Sequence, residues 1–206
     1  MKKIPTLFKK VFDDRGRIVD ILPEFTNEKC EQAYYKGIPT LKLDGSCCAF
    51  HNGKLYKRYD AKKGRTIPEN AILCEPFPDP VTGHQPCWVP VDPLNPSDKW
   101  FIEAMSMMLD NLEFKAESFK GDGTYEAIGK HFNGNPYNID YDILVRHGEY
   151  PYSIEKRGNS PKESLEIMRA FLKNHYIEGL VFWFDGEPVC KIKRSDFGFD
   201  WGNKNK

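Results

Sequence analysis

The sequence predicts an α+β fold in which helices pack on antiparallel sheets. Two turn dipeptides, Asn52-Gly53 and Asp185-Gly186, each separate segments with strand-like composition, which is typical of β-hairpins. Helical spacing of apolar residues occurs after Asn95 and after Ser160. The 206 residues are 40% hydrophobic and 14% aromatic, so the chain can bury a core and is not mostly disordered.

The N-terminal part of the chain is basic although the whole chain is neutral. Lysine plus arginine and aspartate plus glutamate number 30 each. Residues 1–65 carry 15 − 8 = +7 charges and residues 66–206 carry 15 − 22 = −7. The neutral total excludes a bulk-charge argument for nucleic-acid binding. The split favours either a polyanion-facing region or a solvated lysine-rich surface. We predict one domain over 1–206, with 1–37 as a basic extension or substrate-contacting segment.

The strand before the first predicted hairpin turn contains the short motif K-x-D-G at residues 42–45. Residues 38–50 are predicted to be strands, and Lys54–Tyr59 follows the Asn52-Gly53 turn. The strand period of two places Lys42 and Asp44 on one face. A lysine is a nucleophile only when its amine is neutral. Two interpretations of Lys42 are open. It is either a candidate nucleophile or a lysine near the turn that ends an ordinary strand.

The middle of the chain is predicted to be an ordered loop followed by a helix. The loop spans 68–96 and contains short extended pieces among its prolines. Asn95 and Pro96 are typical of a helix start. The apolar residues that follow at helical spacing are Phe101, Ala104, Met105, Met108, Leu109 and Leu112.

A second helix and a second hairpin complete the predicted elements. Ser160 and Glu163 form a capping-box pattern before the second helix. In the final strand, Lys191 and Lys193 share one face, and Cys190 and Ile192 share the other. Two lysines side by side require either solvent or anionic partners such as phosphates.

Cysteine and histidine spacing is not typical of a structural metal site. The six cysteines include no CxxC pair, which favours reduced thiols in a cytosolic protein. His84, His131 and His147 are candidates to lie near phosphate, but no metal-ligand spacing supports a zinc site. No apolar run approaches about 20 residues, and the N-terminus lacks the apolar region of a signal peptide. We expect no membrane partner.

Four short motifs together resemble a known superfamily. They are K-x-D-G at 42–45, Y-E-x-x-G at 125–129, E-G-L-V at 178–181 and K-I-K at 191–193. In this order they resemble motifs I, III, IV and V of the covalent nucleotidyltransferases, which comprise ATP- and NAD-dependent nucleic-acid ligases and mRNA capping guanylyltransferases. Longer phrases at 45–48, 88–91, 133–137 and 147–148 resemble the human-type ATP-dependent 5′-3′ RNA ligase family. The resemblance spans about residues 38–202.

This resemblance implies a nucleotidyltransferase (adenylation-domain) fold and a three-step sealing reaction. Lys42 matches the lysine that attacks the α-phosphate of ATP to form lysyl-AMP. The AMP then passes to the 5′-phosphate of an RNA, and a 3′-hydroxyl displaces it. The implied partners are therefore ATP and RNA with 5′-phosphate and 3′-hydroxyl ends.

The resemblance also assigns the other site residues. Glu126 matches the carboxylate that accepts hydrogen bonds from the ribose hydroxyls, and Arg58 matches the residue that holds the ribose or the 5′-phosphate. Glu178 matches the carboxylate beside Mg²⁺ or Mn²⁺. The remaining nucleotide- and phosphate-binding residues are Asp44, Gly45, Lys191 and Lys193.

Departures from the family pattern leave alternatives open. Leu41 stands where a glutamate commonly precedes the lysine, so either the backbone reads the base or nucleotide choice is weaker. Cys47 stands where DNA ligases and capping enzymes usually place arginine, which favours RNA ligation. The sequence ends at Lys206, so we expect no OB-fold, and the catalytic domain would then hold the RNA. We also expect a monomer. The alternatives are a capping-type guanylyltransferase, another nucleotidyltransferase, or a catalytically idle RNA-binding module.

Overall fold

The computed structural model describes residues 2–80, 82–110 and 121–202 and shows an α+β chain with antiparallel sheets. The chain divides into two compact units. The terminal unit consists of residues 3–43 and 148–206, and the central unit consists of residues 44–147 with Lys2. In the described residues, the terminal unit has two sheets and two α-helices, and the central unit has one sheet and one α-helix. The nucleotidyltransferase fold stays a prediction.

The terminal unit contains five strands and two α-helices. In chain order these are β1 (Phe8–Phe12), β2 (Ile18–Phe25), α1 (Glu28–Lys36), β3 (Ile38–Lys42), α3 (Pro161–Asn174), β10 (Gly179–Phe184) and β11 (Glu187–Lys193), and the elements numbered between β3 and α3 belong to the central unit. β1 pairs with β2, and a second antiparallel sheet has the order β11-β10-β3. Aromatic rings join helix and sheet in the core, where Tyr34 of α1 lies 5.8 Å from Phe182 of β10 between ring centroids.

The central unit is built on one six-stranded antiparallel sheet. Its elements are β4 (Ser46–His51), β5 (Lys54–Ala61), β6 (Ile72–Leu73), β7 (Gln85–Pro90), α2 (Lys99–Asp110), β8 (Gly123–Gly129) and β9 (Asp142–Arg146). The strand order is β6-β7-β5-β4-β8-β9. α2 packs on β8 and β9, and Met108 of α2 is buried, as its helical spacing predicts.

Both predicted hairpin turns are confirmed. Asn52 and Gly53 have φ values of 49° and 73°, and Asp185 and Gly186 have 52° and 77°. Positive φ at both central residues is the backbone that Asn-Gly and Asp-Gly dipeptides favour. The turns set the registers of β4 with β5 and of β10 with β11.

The two predicted helices begin where their caps indicate, with differences in detail. Asn95 accepts a hydrogen bond from the Ser97 N–H, but the first turn is a 3₁₀ helix and α2 begins at Lys99. Leu112 lies outside the described residues. Ser160 accepts from the Glu163 N–H, whereas the Glu163 carboxylate accepts from Asn159 instead of Ser160. The reciprocal half of the predicted capping box is therefore absent from these bonds.

Helix α1 is not among the elements predicted from the sequence. Its cap is Asn27, whose side chain accepts from the Cys30 N–H at 2.9 Å. Cys30, Ala33 and Tyr34 form the buried face. The short helix lies within the basic segment 1–37, so this segment contributes a helix and a strand pair to the terminal unit.

All six cysteines are free thiols, and four of them are buried. The cytosolic location inferred from the cysteine pattern stays a prediction. In the described part of the chain, no helix has the length and apolarity required to cross a membrane.

Candidate active site

Three lysines of the terminal unit lie on one face of the β11-β10-β3 sheet. Lys42 and Lys193 are both paired with Gly179, one from each side, and Lys191 is paired with Val181. Paired residues in antiparallel strands point to the same face. The opposite face carries Cys190 and Ile192, both buried in the core. The predicted division of this strand into a lysine face and a core face is confirmed.

Gly179 permits the close approach of the strands between these lysines. A Cβ added at this position would lie 2.1 Å from the Ile192 carbonyl oxygen and 2.9 Å from the Lys193 Cα. Any side chain there would force β10 and β11 apart. The glycine of the E-G-L-V motif is therefore a packing requirement for the lysine face.

Glu178 provides the negative charge of this cluster. Its Oε2 accepts a hydrogen bond from Lys42 Nζ at 2.6 Å, and the two side chains are 10% and 21% exposed. Lys42 Nζ also donates to the Leu43 carbonyl at 3.4 Å. We call Lys42, Glu178, Lys191 and Lys193 the lysine site.

The lysine site contains more positive than negative charge. Burial, together with the nearby cations Lys42 and Lys193, lowers the pKa of Lys191 to about 8. Glu178 and Asp196 act in the opposite direction. Because cationic repulsion contributes to this shift, an anion that binds at the lysine face would relieve it.

Asp196 is shared between the lysine site and the N-terminal strand. Its Oδ1 accepts from Lys10 Nζ at 2.6 Å, with side-chain exposures of 9% for Lys10 and 2% for Asp196. Its Oδ2 accepts from the Lys193 N–H at 2.9 Å. Lys10 is therefore a buried ion-pair partner, while the neighbouring Lys9 forms an exposed pair with Glu24.

The central unit holds Asp44, Gly45 and Glu126 in one hydrogen-bond network. The Gly45 N–H donates to Glu126 Oε1 at 3.1 Å. Asn133 Nδ2 donates to Asp44 Oδ1 at 3.0 Å and to the Gly45 carbonyl at 2.6 Å. The Asp44 N–H donates to the Tyr137 hydroxyl oxygen at 2.6 Å. A Cβ at Gly45 would lie 2.1 Å from the Ala127 carbonyl, so only glycine fits here.

His147 completes the surroundings of Glu126. Its Nε2 lies 2.9 Å from Glu126 Oε2, and its Nδ1 lies 3.0 Å from Thr124 Oγ1. The Cys47 thiol is a further neighbour, and burial together with the Glu126 charge raises its pKa to about 12. We call Asp44, Gly45, Glu126 and His147 the Glu126 site.

Arg58 lies on β5 of the central unit and is paired with Asp60. Its Nε donates to Asp60 Oδ1 at 3.0 Å, and its side chain is 16% exposed. Burial acts to lower the pKa of Arg58, but the hydrogen bond and charge of Asp60 raise it overall. The guanidinium is therefore a fixed cation suited to an anionic partner.

The structure groups the sequence-identified residues by unit. Lys42, Glu178, Lys191 and Lys193 lie together in the terminal unit, and Asp44, Gly45 and Glu126 lie together in the central unit. Asn133, Tyr137 and His147 were present in the quoted phrases, but the sequence assigned none of them a contact with Asp44, Gly45 or Glu126. His131 is bound to Asp142 at 2.6 Å and stacked on Trp100.

Comparison with curated proteins finds RNA ligases. The chain is 25% identical to "RNA ligase 1" of Pongo abelii over an alignment of 227 residues, which covers 81% of this chain and 69% of that protein. The values for "RNA ligase 1" of Danio rerio are 25% identity, 79% and 67%. Those for the Rattus norvegicus protein are 24%, 86% and 73%. No protein-family profile matches the chain.

This chain is a distant relative of the RNA ligases. The alignments cover about four fifths of the chain, so the relationship extends well beyond a local motif match. It agrees with the resemblance drawn from the K-x-D-G, Y-E-x-x-G, E-G-L-V and K-I-K motifs. Within an RNA ligase relative, a lysine face with a bound glutamate is a candidate active site.

Proposed function

We propose that this protein is an ATP-dependent RNA ligase that joins 5′-phosphate and 3′-hydroxyl RNA ends through a lysyl-AMP intermediate on Lys42. The observation that carries the proposal is the lysine site itself. Three lysines share one sheet face, and Glu178 accepts a hydrogen bond from the candidate nucleophile at 2.6 Å. An isolated cluster of like charges is unfavourable unless it has an anionic ligand, and a triphosphate is such a ligand.

In the first step, Lys42 Nζ releases a proton to solvent and attacks the α-phosphorus of ATP as the neutral amine. A P–N bond forms, the bond from the α-phosphorus to the oxygen that bridges it to the β-phosphate breaks, pyrophosphate leaves, and the nitrogen releases its second proton to solvent. Glu178 orients the amine because its carboxylate binds Nζ directly. Lys191 and Lys193 stabilise the charge that develops on the α-phosphate, a contribution typically of about 10²–10³ in rate.

The next two steps transfer AMP and seal the RNA. An oxygen of the RNA 5′-phosphate attacks the α-phosphorus, the P–N bond breaks, and Lys42 regains a proton as a free amine. The 3′-hydroxyl oxygen then attacks the 5′-phosphorus, AMP leaves and the hydroxyl proton is released. Adenylylation is needed because a phosphate monoester has no good leaving group.

The residues of the lysine site fit a divalent metal that binds together with a triphosphate. Mg²⁺ is held in proteins by one or two carboxylates with phosphates and waters. Glu178 offers one such carboxylate, and the surrounding lysines disfavour a cation that arrives without an anion. Glu178 would hold Mg²⁺ or Mn²⁺, which would supply charge neutralisation to the triphosphate.

The central unit supplies the residues proposed to recognise the nucleoside and the RNA end. Glu126 would accept hydrogen bonds from the ribose hydroxyls, and its orientation is fixed by Gly45 and His147. Arg58 would bind the ribose or the 5′-phosphate. Asn133 donates to the Asp44 carboxylate and to the Gly45 carbonyl, so it links these two residues directly.

The decisive experiment is covalent labelling. The protein is incubated with ATP labelled at the α-phosphate and Mg²⁺, then denatured and separated on a gel. We expect label on the wild type and on Lys36→Ala, an exposed lysine in the same unit, and none on Lys42→Ala. Label from GTP but not from ATP would indicate a guanylyltransferase instead.

A sealing assay tests the whole reaction. We expect ligation of 5′-phosphorylated RNA, compared as a nicked hairpin and as single strands with a DNA control, and loss of ligation in Lys42→Ala. Binding of RNA by wild type without label or sealing would favour the idle RNA-binding module. Unchanged sealing by Lys42→Ala would contradict the proposed nucleophile.

A further inference from the structure

Three metal-ligating side chains meet in the central unit. A thiol sulphur of Cys47, a carboxylate oxygen of Glu126 and a ring nitrogen of His147 all lie within 4.8 Å of one another. We propose that these three residues bind a thiophilic divalent cation, Zn²⁺ being the best match. Its ligands differ from those of the Mg²⁺ or Mn²⁺ site proposed at Glu178, whereas Glu126 is also the residue proposed above to bind the ribose, so the ion would lie beside the nucleoside contact.

The sheet places these three ligands side by side. Cys47 of β4 is paired with Glu126 of β8, so their side chains leave the same face as neighbours. The His147 N–H donates to the Thr124 carbonyl, which extends the β8–β9 ladder by one residue beyond Arg146. Thr124 and Glu126 are two residues apart and share that face. Each ligand therefore comes from a different strand or strand end.

The distances between the ligand atoms suit a tetrahedral ion. Zn²⁺ binds sulphur at about 2.3 Å, and nitrogen or carboxylate oxygen at about 2.0–2.2 Å. Tetrahedral angles then separate the ligand atoms by roughly 3.3–3.7 Å. The Glu126–His147 pair at 2.9 Å and the group limit of 4.8 Å bracket that range. Small side-chain rotations would bring all three ligands to an ion, with a fourth position for water.

Two outer hydrogen bonds orient the ligands for this role. In the metal-bound form the ion would replace the proton between His147 Nε2 and Glu126 Oε2, and Nδ1–H would donate to Thr124 Oγ1, which lies 3.0 Å away. The Gly45 N–H binds Glu126 Oε1, which directs Oε2 towards His147. Metal-binding histidines and carboxylates in proteins usually have such outer partners, which fix the ring and the tautomer.

The donor types select the class of ion. Sulphur and imidazole ligands favour Zn²⁺ and related borderline metals, whereas Mg²⁺ requires oxygen ligands in octahedral geometry. A Cys47 thiolate and the Glu126 carboxylate would together carry two negative charges, which match a divalent cation. The neighbouring guanidinium of Arg58 is already paired with Asp60.

Chain spacing cannot reveal such a site. Zinc motifs are recognised in sequence when ligands are two to five residues apart, whereas positions 47, 126 and 147 are brought together only by strand pairing. Histidine spacing along the chain therefore indicates only zinc sites built from local motifs.

Cobalt substitution tests the site without nucleotide or RNA. The protein is titrated with Co²⁺ and its absorption spectrum is recorded. We expect the visible bands of tetrahedral Co²⁺ and a thiolate-to-cobalt charge-transfer band, saturating at one ion per chain, with displacement by Zn²⁺. Cys47→Ser should lose the charge-transfer band, and Cys74→Ser, a half-buried thiol outside the three ligands, should retain it.

A second variant and a second readout keep the test independent of folding defects. His147→Gln should weaken Co²⁺ binding at least about tenfold, and Zn²⁺ should raise the Tm of the wild type but not that of Cys47→Ser. Circular dichroism confirms that each variant is folded. An unchanged charge-transfer band in Cys47→Ser, or a wild-type spectrum of octahedral Co²⁺ alone, would overturn the proposal.

Discussion

The lysine site and the Glu126 site organise charge in opposite ways. In the lysine site, three cations share one sheet face with a single bound carboxylate, and burial together with the neighbouring lysines lowers the pKa of Lys191. In the Glu126 site, each oxygen of the central carboxylate has a hydrogen-bond partner, one from Gly45 and one from His147. The excess positive charge of the lysine site favours the binding of an anionic reactant. The hydrogen bonds of the Glu126 site instead hold its carboxylate in a fixed orientation.

Buried pairing should matter more than surface pairing, and adjacent residues of β1 allow a direct comparison. Lys10→Met leaves Asp196 buried without its cationic partner, and we expect a loss of about 3–5 kcal/mol in the free energy of unfolding. Lys9→Met removes the exposed pair with Glu24, and should cost about 0–1 kcal/mol. Urea unfolding of both variants measures the difference. Equal losses in the free energy of unfolding would show that burial of the Asp196 carboxylate does not require the Lys10 cation.

The charge of the lysine site should act mainly on the rate of chemistry. In Lys191→Ala we expect the rate of lysyl-AMP formation at saturating ATP to fall by about 10²–10³, because the cation stabilises the transition state. Lys193→Ala should have an effect of the same kind. Rapid-quench labelling with varied ATP measures the rate and the KM separately. Full activity in both variants would mean that the lysine face does not contact the α-phosphate.

The Glu126 site should act mainly on binding. Glu126→Gln removes a charged acceptor, and we expect the KM for ATP to rise about 10–100-fold, since a hydrogen bond to a charged group contributes about 1.5–3 kcal/mol. The rate at saturating ATP should change much less than in Lys191→Ala. The same labelling assay provides the measurement. A fall in the saturated rate without a change in KM would remove the contrast between the two sites.

Local patterns predicted much of the fold, and strand pairing supplied the rest. The turn at Asn52 and the cap at Ser160 depend on neighbouring residues, so sequence was sufficient for them. The period of two also separated Lys191 from Cys190 correctly. Helix α1 was missed because its short buried face is mixed with charged residues.

The contacts around Glu126 were beyond sequence reasoning for a different reason. His147 and Tyr137 contact residues far away in the chain, and the loop and strand registers that bring them there have no local signature. Resemblance identified Glu126 as a candidate ligand-binding residue. It did not show which side chains orient it. Long-range register is the information that the structure adds.

A pH profile tests the same contrast through Lys191 alone. Burial, with Lys42 and Lys193, lowers the pKa of this lysine to about 8. Above that pH the free enzyme loses the Lys191 charge, so kcat/KM for ATP should fall about tenfold per pH unit relative to that of Lys191→Arg, which shares the Lys42 nucleophile. Between about pH 8 and the usual lysine pKa of about 10.4, the unfolded chain binds more protons than the folded chain, so this residue makes stability rise with pH.

Activity and the Lys191 contribution to stability should therefore move in opposite directions over this window. In Lys191→Arg the guanidinium stays charged, so this loss of kcat/KM should be absent and the rise in stability should disappear. Lys193→Arg, as the matched control, should retain both effects. Labelling rates and thermal unfolding from pH 7 to about 10 measure them. If kcat/KM for ATP has the same pH dependence in Lys191→Arg as in the wild type, the titration belongs to another group. Loss of the Lys191 charge would then not limit activity over this pH range.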